Sequence, residues 1–146
     1  MASITKVLNF MNTEFETNTV TNYETRAIDS NIENIYPVVN IDFVESEIDS
    51  AIILLYFKVT ILQQRDIRNV SHQNKIIGSD NLIDNLNETH YIASRFFAVI
   101  ENNENIDNIE LVEKSKLKIL KQFNRNNLDG VQFDCTMSIP NDAYSC

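Results

Sequence analysis

The sequence predicts an α+β fold, a mostly antiparallel, twisted sheet carrying a long β-hairpin and two packed helices. Three observations predict it. The stretch "VQFDCTMSIP" alternates without a slip: Val131, Phe133, Cys135, Met137 and Ile139 on one side, Gln132, Asp134, Thr136 and Ser138 on the other. A second long stretch, "SAIILLYFKVTILQQR", has strand propensity throughout. Two further segments repeat apolar residues with the period of a helix.

In chain order, Ile4, Val7, Leu8, Met11 and Phe15 make one helical stripe over residues 3–16, with Ser3 placed to cap it. Residues 17–34 form a Thr- and Asn-rich polar arm, with some strand propensity from Val20 to Thr25. The α+β body spans 35–141. It opens with "IYPVVNIDFVES", where Val39, Ile41 and Phe43 share a face and Pro37 belongs at the strand's start or on an edge. In the next strand Ile53, Leu55, Phe57, Val59 and Ile61 line one face. The other begins apolar at Ile52, Leu54 and Tyr56 and turns polar at Lys58 and Thr60. A strand apolar on both faces for that half is expected to be covered above and below there. Its length predicts a hairpin that protrudes. Residues 65–78 read as a polar connection. A helix from about Ser79 follows, with Leu82, Leu86, Ala93, Phe96, Phe97 and Ile100 as its stripe and Ser79 or Asp80 as its cap. "IELVEKSKLKILKQF" reads as strand, break, strand, or as one short strand and an irregular segment, with a helix over 113–124 as the competing reading. "NRNNLDG" is a turn, and the alternating strand closes the body before a short C-terminal tail.

The 146 residues suit a single domain over 1–146. No run approaches the length of a membrane span, and "MASITKVLNF" has no signal-peptide pattern. The net charge of −9 and a pI near 4.6 oppose adhesive nucleic-acid binding while suiting a surface that DNA passes without sticking. The two cysteines are not spaced for a metal site; Cys135 reads as a buried small hydrophobe and Cys146 ends the chain. The only glycines, Gly78 and Gly130, are too few for a phosphate-cradling loop. His72 and His90 lack partners at catalytic or ligand spacing. No catalytic, cofactor or metal set is therefore assigned, and the chain is expected not to be an enzyme.

What remains are surfaces. Asp42, Glu45, Glu47 and Asp49 gather where the hairpin turns; they suit a divalent cation or, more simply, water. Lys114, Lys116, Lys118 and Lys121 form the one basic patch. On a strand the first three project to one face, solvated or placed to meet an acidic neighbour. Gln132 and Asp134 lie on the polar face of the last strand. These residues are the candidates for lining a lumen or contacting another subunit. A small acidic domain with a long hairpin suits assembly in which edges meet the next copy.

"YPVVNIDFVES", "LYFKVTILQQRD", "SDNLIDNLNETHYIASRFFAVI" and "LDGVQFDCTMSIPN", with the terminal Cys, resemble small virion proteins of the crAss-like tailed phages of Bacteroides, from Asn34 onward. The layout of N-terminal helix, hairpin, helix across the sheet and closing strands is similar to the tail-terminator and neck (tail-completion) proteins of tailed phages. The resemblance implies a homo-oligomeric ring, six- or twelve-fold, in the neck or tail. Such a ring surrounds a DNA channel, abuts adjacent rings or the portal, needs no cofactor, and passes through the host cytoplasm before joining the virion. A small adaptor or chaperone that binds a phage or host protein is the other class left open.

Overall fold

The computed structural model describes residues 4–16, 20–22, 37–64, 82–102, 109–123 and 128–141. Its elements are helix α1 (Ile4–Glu16), strands β1 (Val20–Asn22), β2 (Val38–Ile48) and β3 (Ile52–Gln64), helix α2 (Leu82–Asn102), and strands β4 (Glu110–Lys114), β5 (Lys118–Phe123) and β6 (Leu128–Pro140). The sheet order is β1-β2-β3-β6-β4, with β5 also on β6. Every pairing is antiparallel except that of the short β1 with β2. The α+β class read from the sequence is the class observed. The caps assigned to Ser3, Ser79 and Asp80, the connection 65–78, His72 and Cys146 lie outside the described residues.

Both helices pack on one face of the sheet, because only that face is apolar along its whole alternation. From the strands come Val39, Ile41, Leu55, Phe57, Val59, Ile61, Val131, Phe133, Cys135, Met137 and Ile139. From the helices come Val7, Met11, Phe15, Ile92, Ala93, Phe96 and Ile100. Rings join the layers: Phe15 stacks on Phe96 at 4.3 Å between centroids, and Phe97 meets Phe133 at 4.7 Å. The two ends of the expected α1 stripe differ, Phe15 being buried and Ile4 exposed.

The central pair, β3 and β6, is in register from Ile52↔Pro140 to Gln64↔Leu128. The hairpin of β2 and β3 is long, as expected, but β3 does not protrude as one half of a free ribbon: β6 accompanies it to its tip. The turn is tied down by the residue after Pro140. Asn141 donates from Nδ2 to the Asp49 carbonyl at 2.7 Å and from its backbone N–H to the Ala51 carbonyl at 3.0 Å.

The strand β6 begins at Leu128, so the "LDG" read as turn is strand. There Gly130 has a steric reason: a Cβ on it would lie 1.8 Å from the Ile61 carbonyl oxygen of the neighbouring strand. On the face away from the helices, the space left beside Gly130 is bordered by Val38, Leu62, Leu120 and Leu128, a second small apolar cluster.

The segment 110–123 is strand, break, strand. Three residues, Ser115 to Leu117, stand opposite two on β6, and further shifts occur between Leu111 and Glu113 and between Leu120 and Phe123. Ser115 holds the break closed: its N–H donates to the Asp134 carbonyl and its Oγ accepts from the Asp134 N–H, both at 2.8 Å.

Two substitutions test this packing. Phe133→Ala is expected to cost about 3–5 kcal/mol in chemical denaturation, as large-to-small core changes do. Gly130→Ala is expected to lower the denaturation midpoint sharply, since it forces β3 and β6 apart. A midpoint equal to that of the natural chain for either would contradict the register.

Candidate interaction surface

The face of the sheet away from the helices carries the polar half of each strand's alternation. Cross-strand rows order it. Asp42, Lys58 and Asp134 lie side by side on β2, β3 and β6. One row toward the tip, Glu45, Tyr56, Thr136 and Glu113 are aligned, and beyond it Glu47, Leu54, Ser138 and Glu110. In the other direction the row is Asn40, Thr60, Gln132 and Lys118.

A bulge makes the acidic side of this surface. Simple alternation would put Asp42 and Glu45 on opposite faces. The register shift between Phe43 and Glu45 inserts Val44 as an extra residue and brings Asp42, Glu45 and Glu47 together. The hydroxyl of Tyr56 donates to Glu47 Oε2 at 3.1 Å. That bond first, with partial desolvation and the charges of Glu47, Glu45 and Glu113, holds the phenol above its ordinary range. The carboxylates of both sheet edges thus converge on one tyrosine.

Asp49 stands apart from this group. It forms the hairpin turn, its N–H donating to the Ile52 carbonyl at 2.9 Å and its Oδ1 accepting from the Ser50 N–H at 2.7 Å. The four acidic residues read as one cluster are therefore three residues on a strand and one in a turn. Among the described residues no three His, Cys, Asp or Glu side chains are placed to hold a metal ion.

The lysines do not share a face, because the break at Ser115–Leu117 shifts the phase between them. Lys114 lies on the helix side: its Nζ is 2.7 Å from Glu101 Oε1 and 4.4 Å from the Phe97 ring centroid. Both partners of that ion pair are largely exposed, so it adds at most about 1 kcal/mol. Lys118 is in the Gln132 row on the open face, and Lys116 stands at the break, exposed.

The polar face of β6 is less hydrated than its alternation implies. Asp134 is exposed, but Gln132 is half-buried and donates to Thr60 Oγ1 at 3.0 Å. Thr136 and Ser138 are buried, as short side chains flanked by Tyr56 and Leu54 on one strand and Glu113 and Glu110 on the other.

At the hairpin tip the expected covering holds only in part, with Leu54 and Tyr56 half-buried. Ile52, on the half of β3 whose both faces read as covered, is 36% exposed, and Ile48, opposite Ile53 across the hairpin, is 67% exposed. Thr60, on the half that turns polar, is fully buried together with Asn40. Phe43 and Val44 are also exposed. The outer edge of β2 beyond Asn40 has no pairing strand among the described residues.

A buried polar group on the other side was not foreseen. Asn85 and Thr89 lie on α2 in the phase of its apolar stripe and are buried. Asn85 Nδ2 donates to Asp129 Oδ2 at 3.1 Å and to the Gln64 carbonyl at 3.2 Å, locking the helix to the starting end of β6. The spacing of Asn85, Thr89, Ala93 and Phe96 was the available signal; polar residues continue the stripe where it meets a strand end. His90, half-buried, donates from Nδ1 to the Leu86 carbonyl at 2.7 Å, a local helix contact.

No family model matches this chain, and no curated protein matches it. Among the described residues, no helix is long and apolar enough to cross a membrane.

Burial, with a smaller part from Asp134, pushes the Cys135 thiol from 9.0 up to about 12. Between these values the folded chain keeps a proton that the unfolded chain releases, so stability falls as pH rises through that window. Cys135→Val is expected to flatten part of the fall in melting temperature above pH 9. Identical pH slopes for the two proteins would contradict the burial.

Proposed function

We propose that this chain is a non-enzymatic structural subunit that assembles with copies of itself into a ring in the neck or tail of a tailed phage, around the path of the DNA. The observation that carries the reading is the hairpin tip. Ile52 at the turn belongs to a stretch with the pattern of a covered strand, and along the outer edge of β2 that leads to it a single copy leaves Phe43, Val44 and Ile48 open to water. Exposed apolar residues along an edge that has no pairing strand among the described residues mark an interaction site. The acidic open face supports a place for passing DNA. Asp42, Glu45, Glu47, Glu110, Glu113 and Asp134 outnumber Lys58 and Lys118 there, so phosphate finds little to hold it. The resemblance of the strand and helix motifs to phage virion proteins supplies the phage setting, and with it location in the virion after assembly in the host cytoplasm.

Mass photometry of the purified chain and mass spectrometry of purified particles test this. The expected species is six or twelve times the 16.8 kDa chain mass, with the chain present in particles in the same multiple. A monomer at every concentration, together with absence from particles, would refute it. Asp134→Lys adds a cation to the open face at an exposed position. Rings of this variant are expected to form and to release DNA more slowly; an unchanged rate in assembled particles would show that the face does not line the channel.

A further inference from the structure

We infer that copies meet edge to edge, head to tail, with the outer edge of β2 in one copy against the β5 edge of the next, displaced by four residues along the strands. The inference rests on the ring reading and assigns the surfaces that make it.

The two edges of this one sheet differ in charge. The part of β2 beyond Asn40, whose outer edge has no pairing strand among the described residues, presents Glu45 and Glu47, both exposed, and the opposite edge presents Lys116 and Lys118, both exposed. Two copies related by a two-fold axis would set β2 against β2, carboxylate on carboxylate, or β5 against β5, ammonium on ammonium. Opposite edges attract instead, and a contact between different patches propagates from copy to copy, closing into a ring when the rotation per copy closes.

Charge also selects the register. The row of Tyr56 ends in Glu45 on one edge and Glu113 on the other; the row of Leu54 ends in Glu47 and Glu110. Copies set level would oppose glutamate to glutamate in both rows. Lys118 lies in the row of Thr60, four residues along β3 from Tyr56. A displacement of that size, about 13 Å at ~3.3 Å per strand residue, brings Glu45 to Lys118. The same displacement brings Glu47 to the row of Lys58 and Asp134, where the break of Ser115 to Leu117 carries the exposed Lys116.

The other side of the contact agrees independently. Phe43 stands opposite Phe57 on the helix side of the sheet, and Ile119 stands opposite Val131, which faces Ile61. Phe57 and Ile61 are again four residues apart. Phe43 and Ile119 are 38% and 41% exposed, so one displacement matches apolar to apolar on one side and acid to base on the other. Side chains make this contact rather than a continued ladder, because the β4–β5 edge is interrupted three times by register shifts. Charges placed in this way choose orientation and partner more than they add affinity.

Reversing each edge tests it. One variant carries Glu45→Lys and Glu47→Lys, the other Lys116→Glu and Lys118→Glu, and circular dichroism melts confirm that both fold. Each alone is expected to lose the ring species in mass photometry, and an equimolar mixture is expected to regain it, since every contact in an alternating ring again pairs opposite charges. Rings from either variant alone, or a mixture that stays monomeric with both variants folded, would overturn this contact while a ring-forming natural chain kept the ring reading intact. A natural chain that is itself monomeric at every concentration would overturn both.

Discussion

The pairing of β3 with β6 is the constraint on which the remaining structure depends. Two 13-residue strands run in unbroken register, each with an uninterrupted apolar face on the same side. That face gives α1 and α2 something to cover, and covering it removes Phe57, Val59, Phe96, Phe133 and Met137 from water together. Burial of side chains of this size contributes about 1.5–3 kcal/mol each, which offsets the entropy of ordering strands so far apart in sequence. The register tolerates no side chain at Gly130, and it delivers Asn141 to the hairpin turn that it ties down.

From this pair outward the sheet becomes less regular. On one side β2 is bulged at Val44 and, among the described residues, has no pairing strand on its outer edge beyond Asn40. On the other, the edge strand is broken into β4 and β5. The irregularities have a common effect: they decide which side chains the edges present. The Val44 bulge gathers carboxylates on the open face, and the break at Ser115–Leu117 turns Lys114 toward α2 while leaving Lys118 on the open face. Edges of opposite charge on one sheet, with apolar residues beside each, are what a subunit needs to meet a copy of itself in only one sense. Under the proposed assembly, covering Ile48 and Phe43, exposed in one copy, would stabilise the chain.

Strict alternation made β3, β6 and the helix-covered face legible in the sequence, and the helical stripe placed Phe96 and Ile100 correctly. A bulge is one residue of phase, and nothing in "DFVES" distinguishes it from regular strand; the break within "IELVEKSKLKILKQF" was legible but its phase was not, and the common face expected for Lys114, Lys116 and Lys118 failed for that reason. Thr136 and Ser138 lie on the polar side of the alternation, which carries no sign of the larger neighbours in their rows that bury them. Asn85, Thr89 and Asp129 were missed because polar residues read as surface unless their partners across the fold are known. At Ile52 and Leu54 the pattern registers apolar character without saying whether the same chain or another one covers it.

Side-chain oxidation by hydroxyl radicals, compared between the isolated chain and the assembled particle, tests whether the outer edge of β2 and the turn it leads to form a surface between subunits. Phe43, Ile48 and Ile52 are predicted to be oxidised readily in the isolated chain and protected on assembly, with Ile119 protected alongside them and Tyr91, exposed on α2, unchanged. Equal oxidation of Phe43, Ile48 and Ile52 in both states would contradict that surface.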